Sequence, residues 1–475
     1  MDKFFKIKER GSNVKTEIIA GLTTFFAMAY IVFVNPNQVA AEGVNGWLAE
    51  AGADAAALGQ IWNSVFVASI IAAVVGTLLY AFYARMPFAQ ACGMGLNSFF
   101  CTCFVSGAYF AGVDVIKGYQ SGMVIVFLSG VLFLLLTITG ARSLLARAMP
   151  DCLKKSISAG IGLFIAFIGF QNVGIIQDNP YTLVQFVKIN GVAWKDLTAP
   201  IIALVGFLII AVLSKLKVKG SVLIGIIVTT VIYYIATWQL PSFDISSIGQ
   251  SFKDFSAIGI AGLFKVDSWK NAFGAAHIGG IFNAIILIIT FALVDMFDTI
   301  GTLYGTASEA NMLDENGDPI NMDKSMNGDA IATVTGAVCG TSTCTTFVES
   351  AAGVAAGGRT GLASLVTAIC FALCLFLSPV ASIIPSAATA PALIWVGVLM
   401  LKNFANVDMK YPKNAVPAFL VLVMMPLTYS ISNGIGIGAI AYTIITLFSG
   451  EYKKKDIAVT IIALLFIAKF IFSAI

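Results

Sequence analysis

Many apolar runs of about 17 to 25 positions, long enough for a helix to cross roughly 30 Å of hydrocarbon, recur along the chain with several shorter ones and one longer, and short polar connectors separate them. Continuous apolarity, without the ten-residue alternation of a barrel strand, predicts helices. In the first half the runs cover Glu17–Pro36, Ile61–Ala84, Ser121–Gly140, Ile157–Ile175, Pro200–Leu213 and Ser221–Trp238. The second half holds His277–Thr306, Asp329–Gly340, Leu362–Pro379, Pro391–Leu401, Ala415–Ser430 and Ile435–Phe448. An apolar tail at Ile457–Ile475 follows, open between an interfacial and a spanning helix. Between the halves, the polar stretch from Pro241 to Asn271 contains FSAIGIAGLFKV, an amphipathic piece suited to an interface more than to a crossing.

Two more apolar segments are interrupted. PFAQACGMGLNSFFCTCF, from Pro87, is broken by Pro87, Gly93 and Gly95. TSTCTTFVESAAGVAAGGRTG, from Thr341 to Gly361, runs through small and β-branched residues to Glu349 and then into a glycine-rich helical pattern. Each predicts an extended piece followed by a half-helix, with the extended parts at Phe88–Cys92 and Cys344–Val348. Pairing the two pieces as antiparallel strands satisfies one edge of each and leaves other backbone groups for a polar ligand. A half-helix that begins near mid-membrane also aims about four unpaired N–H groups and a positive dipole end at whatever lies there.

With the broken segments counted third and tenth, the chain reads as all-α and polytopic, with fourteen spans in a seven-plus-seven repeat and short antiparallel strands in segments 3 and 10. Seven is odd, so the second repeat enters the membrane inverted, the pattern of transporters with a midplane site at broken helices. Starting from a cytoplasmic N-terminus, the inside loops and termini collect 21 of the 28 Lys and Arg residues, the outside loops six, and the tail Lys469. That asymmetry follows the positive-inside rule.

Composition narrows the class. Of 475 residues, 58% are hydrophobic and 11% charged, with mean hydropathy +0.91, which excludes an ordinary soluble domain. A net charge of +3 without a basic-aromatic patch gives no footprint for nucleic acid. No P-loop follows a strand-turn-helix unit, so ATP-driven transport is not expected. The eight cysteines lie mostly in apolar segments without metal spacing, so they read as packing residues; no metal and no cofactor is expected. The acidic loop SEANMLDENGDPINMDK lacks EF-hand spacing and reads as solvated. MDKFFKIKERGSNVK at the N-terminus is basic and amphipathic, with no removable signal. The single histidine, His277, reads as a helix-end residue, and Arg359 as an anchor at the far end of the second half-helix.

What remains is a set of acids where acids are costly. Glu349 stands at the start of the second half-helix, and Asp295 and Asp298 lie three apart in FALVDMFDTIGT. Ionisable groups at membrane depth are functional candidates by default. Carboxylates there can hydrogen-bond a planar, N–H-rich ligand, and an apolar surrounding disposes a carboxyl to carry a coupling proton. Asn97, at the start of the first half-helix, is the counterpart of Glu349.

These motifs resemble the AzgA-like purine permeases, a branch of the nucleobase-ascorbate transporter superfamily. The resemblance is carried by KTEIIAGLTTFFAMAYIVFVNP from Lys15, PFAQACGMGLNSFF from Pro87, VDMFDTIGTL from Val294, GTSTCTTFVESAAGVAAGGRTGL from Gly340 and ATAPALIWVGVLM from Ala388, in order along most of the chain. One departure is Cys92, where the family more often carries proline. The resemblance implies a core domain of segments 1–4 (residues 1–140) and 8–11 (276–380), and a gate domain of segments 5–7 (141–240) and 12–14 (381–450). The linker spans 241–275 and the tail 451–475. It implies proton symport of a purine base and no enzymatic activity, with Asp295 and Glu349 bonding the base, Asn97 completing the site and Asp298 supporting it or aiding proton coupling. The substrate-binding set is then Asp295, Glu349, Asn97, Phe347, Val348 and Thr299, with Asp298 and Glu349 as proton-coupling residues. A homodimer through the gate domains, in the plasma membrane, is also implied. The alternatives are a carrier of anions, pyrimidines or xanthine on the same architecture, and an intramembrane enzyme, which the lack of a nucleophile-base pair disfavours.

Overall fold

The computed structural model describes residues 2–41, 47–140, 149–179, 181–189, 194–241, 243–274, 279–309, 312–315, 319–381 and 383–474. His277, Arg142, Arg147 and part of the acidic loop lie outside the described residues. Helix α1 (Val14–Met28) starts where the Asn13 side chain accepts the Thr16 N–H at 3.0 Å, and after a tight turn the chain continues as α2 (Ile31–Val39). Asp54 caps α3 (Ala55–Leu79) in the same way, with bonds from the Ala56 and Ala57 N–H groups at 2.9 and 3.3 Å. Strand β1 (Gln90–Cys92) leads into α4 (Met94–Phe100), whose helical course runs on to Phe110. Asp114 caps α5 (Val115–Ile138), and α6 (Asp151–Asn172) follows.

An exposed hairpin of β2 (Ile176–Asn179) and β3 (Leu183–Phe186) separates α6 from α7 (Trp194–Lys215), with α8 (Ser221–Thr237) next. Short helical pieces between Ser246 and Ala272 contain the amphipathic FSAIGIAGLFKV. They pack across α3 and α5, burying Phe255, Ile258 and Leu263. The second half is α9 (Gly280–Glu309), α10 (Met322–Cys339), β4 (Cys344–Thr346), α11 (Ser350–Ala355), α12 (Gly361–Leu373), α13 (Ser386–Leu401), α14 (Pro412–Leu427) and α15 (Ile431–Phe448). The apolar tail forms α16 (Ile457–Ala474), which lies along α15 and touches α9.

Eight helical stretches of the described chain are long and apolar enough to cross a membrane, and the shorter apolar helices α8, α12, α14 and α16 accompany them. The chain is a multi-pass membrane protein. Its helices pack in two groups. In one, α10 lies on α3 and α5, α12 on α1 and α3, and α9 on α5; in the other, α6 lies on α13 and α14, α7 on α8 and α13, and α14 on α15.

The broken segments meet as the sequence pattern expects. β1 and β4 pair antiparallel, with Gln90 opposite Thr346, Ala91 opposite Thr345 and Cys92 opposite Cys344, whose sulfurs are 3.7 Å apart. Two-stranded ribbons leave an outer edge on each strand, and in hydrocarbon those groups need partners. Threonines supply them at two points. The Thr77 hydroxyl accepts the Gln90 N–H at 3.1 Å and donates to the Gln90 carbonyl at 3.2 Å. The Thr333 hydroxyl accepts the Cys344 N–H at 3.1 Å and lies 3.0 Å from the Cys344 carbonyl, its one proton shared between that carbonyl and Asp295 Oδ2. Those edge groups are therefore held by the protein and are not left for a ligand. Gly340 shapes the approach to β4: at φ 100°, an added Cβ would lie 2.7 Å from both the Tyr119 hydroxyl and the Gly259 Cα.

Candidate functional site

Between the two helix groups lies a cavity of about 490 Å³, within the range of small-molecule sites. One wall comes from the broken segments and α9: the turn from Gly93 to Leu96, Asp298, and the run from Thr345 to Glu349. The facing wall belongs to the other group, with Ile161 and Ile165 of α6 and Val396 and Met400 of α13. Among the described residues, Lys402 at the end of α13 is the one basic residue of its lining.

Glu349 is delivered by the change from extended to helical backbone. It occupies the cap position of α11 with φ −60° and ψ −17°, so its side chain leaves at the end of β4 beside the helix N-terminus. The Tyr30 hydroxyl, at the α1–α2 turn, donates to its Oε1 at 2.7 Å. Phe347 is 5% exposed and Val348 48% exposed, so the ring is held in the wall while the valine lies open. Asp298 lines the same cavity as Glu349, which brings two carboxylates to one space.

The other residues singled out from the sequence lie behind this wall. Asn97 is fully buried and does not line the cavity; its amide donates to Asn35 Oδ1 at 2.6 Å and its oxygen accepts the Ser342 hydroxyl. Asp295 is 1% exposed, accepts the Thr333 hydroxyl at 2.7 Å on Oδ2, and has no partner on Oδ1 among the described residues. Thr299 is buried and donates to Asp329 Oδ2 at 2.7 Å. The three-residue offset thus sends Asp298 to the cavity and Asp295 to the packed interior against α10.

Asp329 and Tyr30 are the contributors that sequence reasoning passed over. The apolar pattern makes Asp329 the first residue of a span, whereas α10 begins at Met322 and carries Asp329 two turns inside, fully buried. Gln90 of β1 donates to its Oδ1 at 2.6 Å. The polar first turns of α10, with Asp323, Lys324, Ser325 and Asn327, concealed the helix start. Arg359 takes the anchoring place expected of it, donating to the Val354 and Gly358 carbonyls at 2.8 and 2.7 Å beyond the end of α11. The buried Glu17 completes that corner by accepting the Arg359 and Thr360 N–H groups at 2.9 and 3.2 Å.

Residues 15–437 match the sequence profile described as "Permease family". The chain is 36% identical to the adenine permease AdeP of Escherichia coli (strain K12), over 99% of this chain and 96% of that one. It is 39% identical to the guanine/hypoxanthine permease PbuG of Bacillus subtilis (strain 168), over 99% and 100%. In fold it is similar to the transmembrane domain of a cyanobacterium bicarbonate transporter, BicA, with TM-score 0.62 and 14% identity over 89% of this chain and 97% of that one.

Proposed function

The chain belongs to the permease family, in its branch of adenine and guanine/hypoxanthine permeases, and from that premise we propose that it carries purine nucleobases across the membrane by proton symport. It is a transporter and not an enzyme. The observation that carries the substrate reading is the pairing of Asp298 and Glu349 with the Phe347 ring around one cavity. A neutral purine offers ring N–H groups to carboxylates and an aromatic face to a phenyl ring, and two acids disfavour an anion.

Alternating access is supported by where the cavity lies. One wall belongs to the group read as core, segments 1–4 and 8–11, and the other to the group read as gate, segments 5–7 and 12–14. Sliding of core against gate would expose the base to each side in turn. On this reading the repeat is seven plus seven and inverted, with β1–α4 and β4–α11 as its third and tenth members. Glu349 and Asp298 take the coupling proton beside the base, while Asp295 and Asn97 support the wall from behind. The N-terminus is cytoplasmic, the membrane is the plasma membrane, and two copies associate through their gate domains.

The test is uptake of radiolabelled adenine and hypoxanthine in cells expressing the protein, with and without a protonophore and against unlabelled uracil, xanthine or sulfate. Purine uptake that collapses with the protonophore and resists sulfate is expected. Glu349→Gln should abolish it with the protein still in the membrane; normal uptake by that variant would remove Glu349 from the site, and competition by sulfate alone would overturn the purine reading.

A further inference from the structure

Helices α9 and α10 face one another with the same four-residue pattern, an aspartate followed one turn later by a threonine: Asp295 and Thr299 on α9, Asp329 and Thr333 on α10. Residues four apart share a helix face. Each aspartate takes the other helix's threonine: the Thr333 hydroxyl donates to Asp295 at 2.7 Å, and the Thr299 hydroxyl to Asp329 at 2.7 Å. Both threonines also reach β4. Thr333 holds the backbone of Cys344, and Thr299 lies 2.8 Å from the Thr345 hydroxyl and 3.5 Å from the Thr346 N–H.

The proton count along this chain has a direction. A threonine hydroxyl has one proton to give and lone pairs to receive. With Asp329 ionised, its carboxylate only accepts, and both of its oxygens are taken, Oδ1 by Gln90 at 2.6 Å and Oδ2 by Thr299. The single Thr299 proton is therefore committed to Asp329. The proton in the Thr299–Thr345 contact must then come from Thr345, which is among the residues lining the cavity. With its own proton spent, Thr345 can offer a ligand only lone pairs.

We infer that Asp329, which does not line the cavity, is a positioning residue for specificity: through Thr299 it fixes Thr345 as a hydrogen-bond acceptor and so favours a purine with an amino group over one with an oxo group at that point. The inference rests on the purine reading above and deepens it. Neither Asp329 nor its relay touches the base except through Thr345. The carboxylate sets the polarity of one spot on the wall without adding charge to it. A buried acceptor left facing another acceptor is disfavoured by the cost of an unmade hydrogen bond, so one reversed hydroxyl is enough to change selectivity.

The experiment compares Thr299→Val, Thr299→Ser and Asp329→Asn in the full-length protein, reading uptake KM and Vmax for adenine and for hypoxanthine. Thr299→Val frees the Thr345 proton for the ligand, and the adenine-to-hypoxanthine ratio of Vmax/KM should fall about tenfold, the scale of one hydrogen bond. Asp329→Asn should move the ratio in the same direction, because its amide can donate to Thr299. Thr299→Ser keeps the relay and should keep the wild-type ratio. A wild-type ratio in both Thr299→Val and Asp329→Asn overturns the inference. So does absence of both from the membrane while Thr299→Ser is present, since the contact would then serve folding alone. If the unmodified protein takes up neither purine, it is the purine reading that fails.

Discussion

At the scale of single residues, the decisive contact is the one between Tyr30 and Glu349. A carboxylate beside a helix N-terminus gains from the dipole, and a hydroxyl donor at 2.7 Å fixes which way its oxygens face. Tyr30→Phe keeps the ring and deletes that donor. A hydrogen bond to a charged group contributes about 1.5–3 kcal/mol, so the KM for purine should rise about tenfold or more with the amount of protein in the membrane unchanged. A KM equal to that of the unmodified protein would show that Glu349 is oriented without Tyr30. Glu349 and Asp298 were legible in the sequence because an acid inside an apolar run stands out by its cost. Which of Asp295 and Asp298 faces the cavity was not, since residues three apart lie on adjacent sides of a helix and only the packing of α9 against α10 decides between them. Tyr30 and Glu349 lie more than 300 positions apart, and nothing local to either announces the bond.

At the scale of elements, glycine, proline and β-branched residues announced both broken segments, and their pairing followed from the need to satisfy backbone groups in hydrocarbon. What completes the outer edges could not be read, because Thr77 and Thr333 look like ordinary helical threonines. In an apolar helix a threonine usually returns its hydroxyl to its own backbone one turn earlier; these two instead serve a neighbouring strand. Thr333→Val removes the partner of the Cys344 N–H and carbonyl and of Asp295 together. Each orphaned buried group costs about 1–3 kcal/mol, so the detergent-solubilised protein should unfold at a markedly lower temperature, and Thr333→Ser should restore most of the loss. An unchanged thermal midpoint in Thr333→Val would mean that water or a neighbour supplies the edge instead. The hairpin β2–β3 had no signal of this kind: its residues carry no load from the membrane and sit in a connector that the apolar pattern merely left blank.

At the scale of the whole molecule, transport by alternating access requires the two helix groups to move past each other at the cavity. Their contact there is close. Gly95, in the first turn of α4, leaves room for Ile161 of α6: a Cβ built on Gly95 would lie 2.3 Å from Ile161 Cγ2 and 3.7 Å from Ile161 Cβ. The first distance explains why no larger residue fits at Gly95 while Ile161 is present. The second falls within the Cβ separations that a disulfide accepts, about 3.5–4.5 Å. Replacing both, Gly95→Cys with Ile161→Cys, removes the clash and places two thiols across the boundary between the groups. If the groups slide during transport, oxidation should form the disulfide, detected by mass spectrometry of the linked peptides, and stop purine uptake; reduction should return it. The unmodified protein under the same oxidant keeps its uptake, which controls for its eight native cysteines. Full uptake with the disulfide in place would mean that α4 and α6 move as one body, and that the cavity opens by some other element, with α13 on the same wall the next to be fixed in this way.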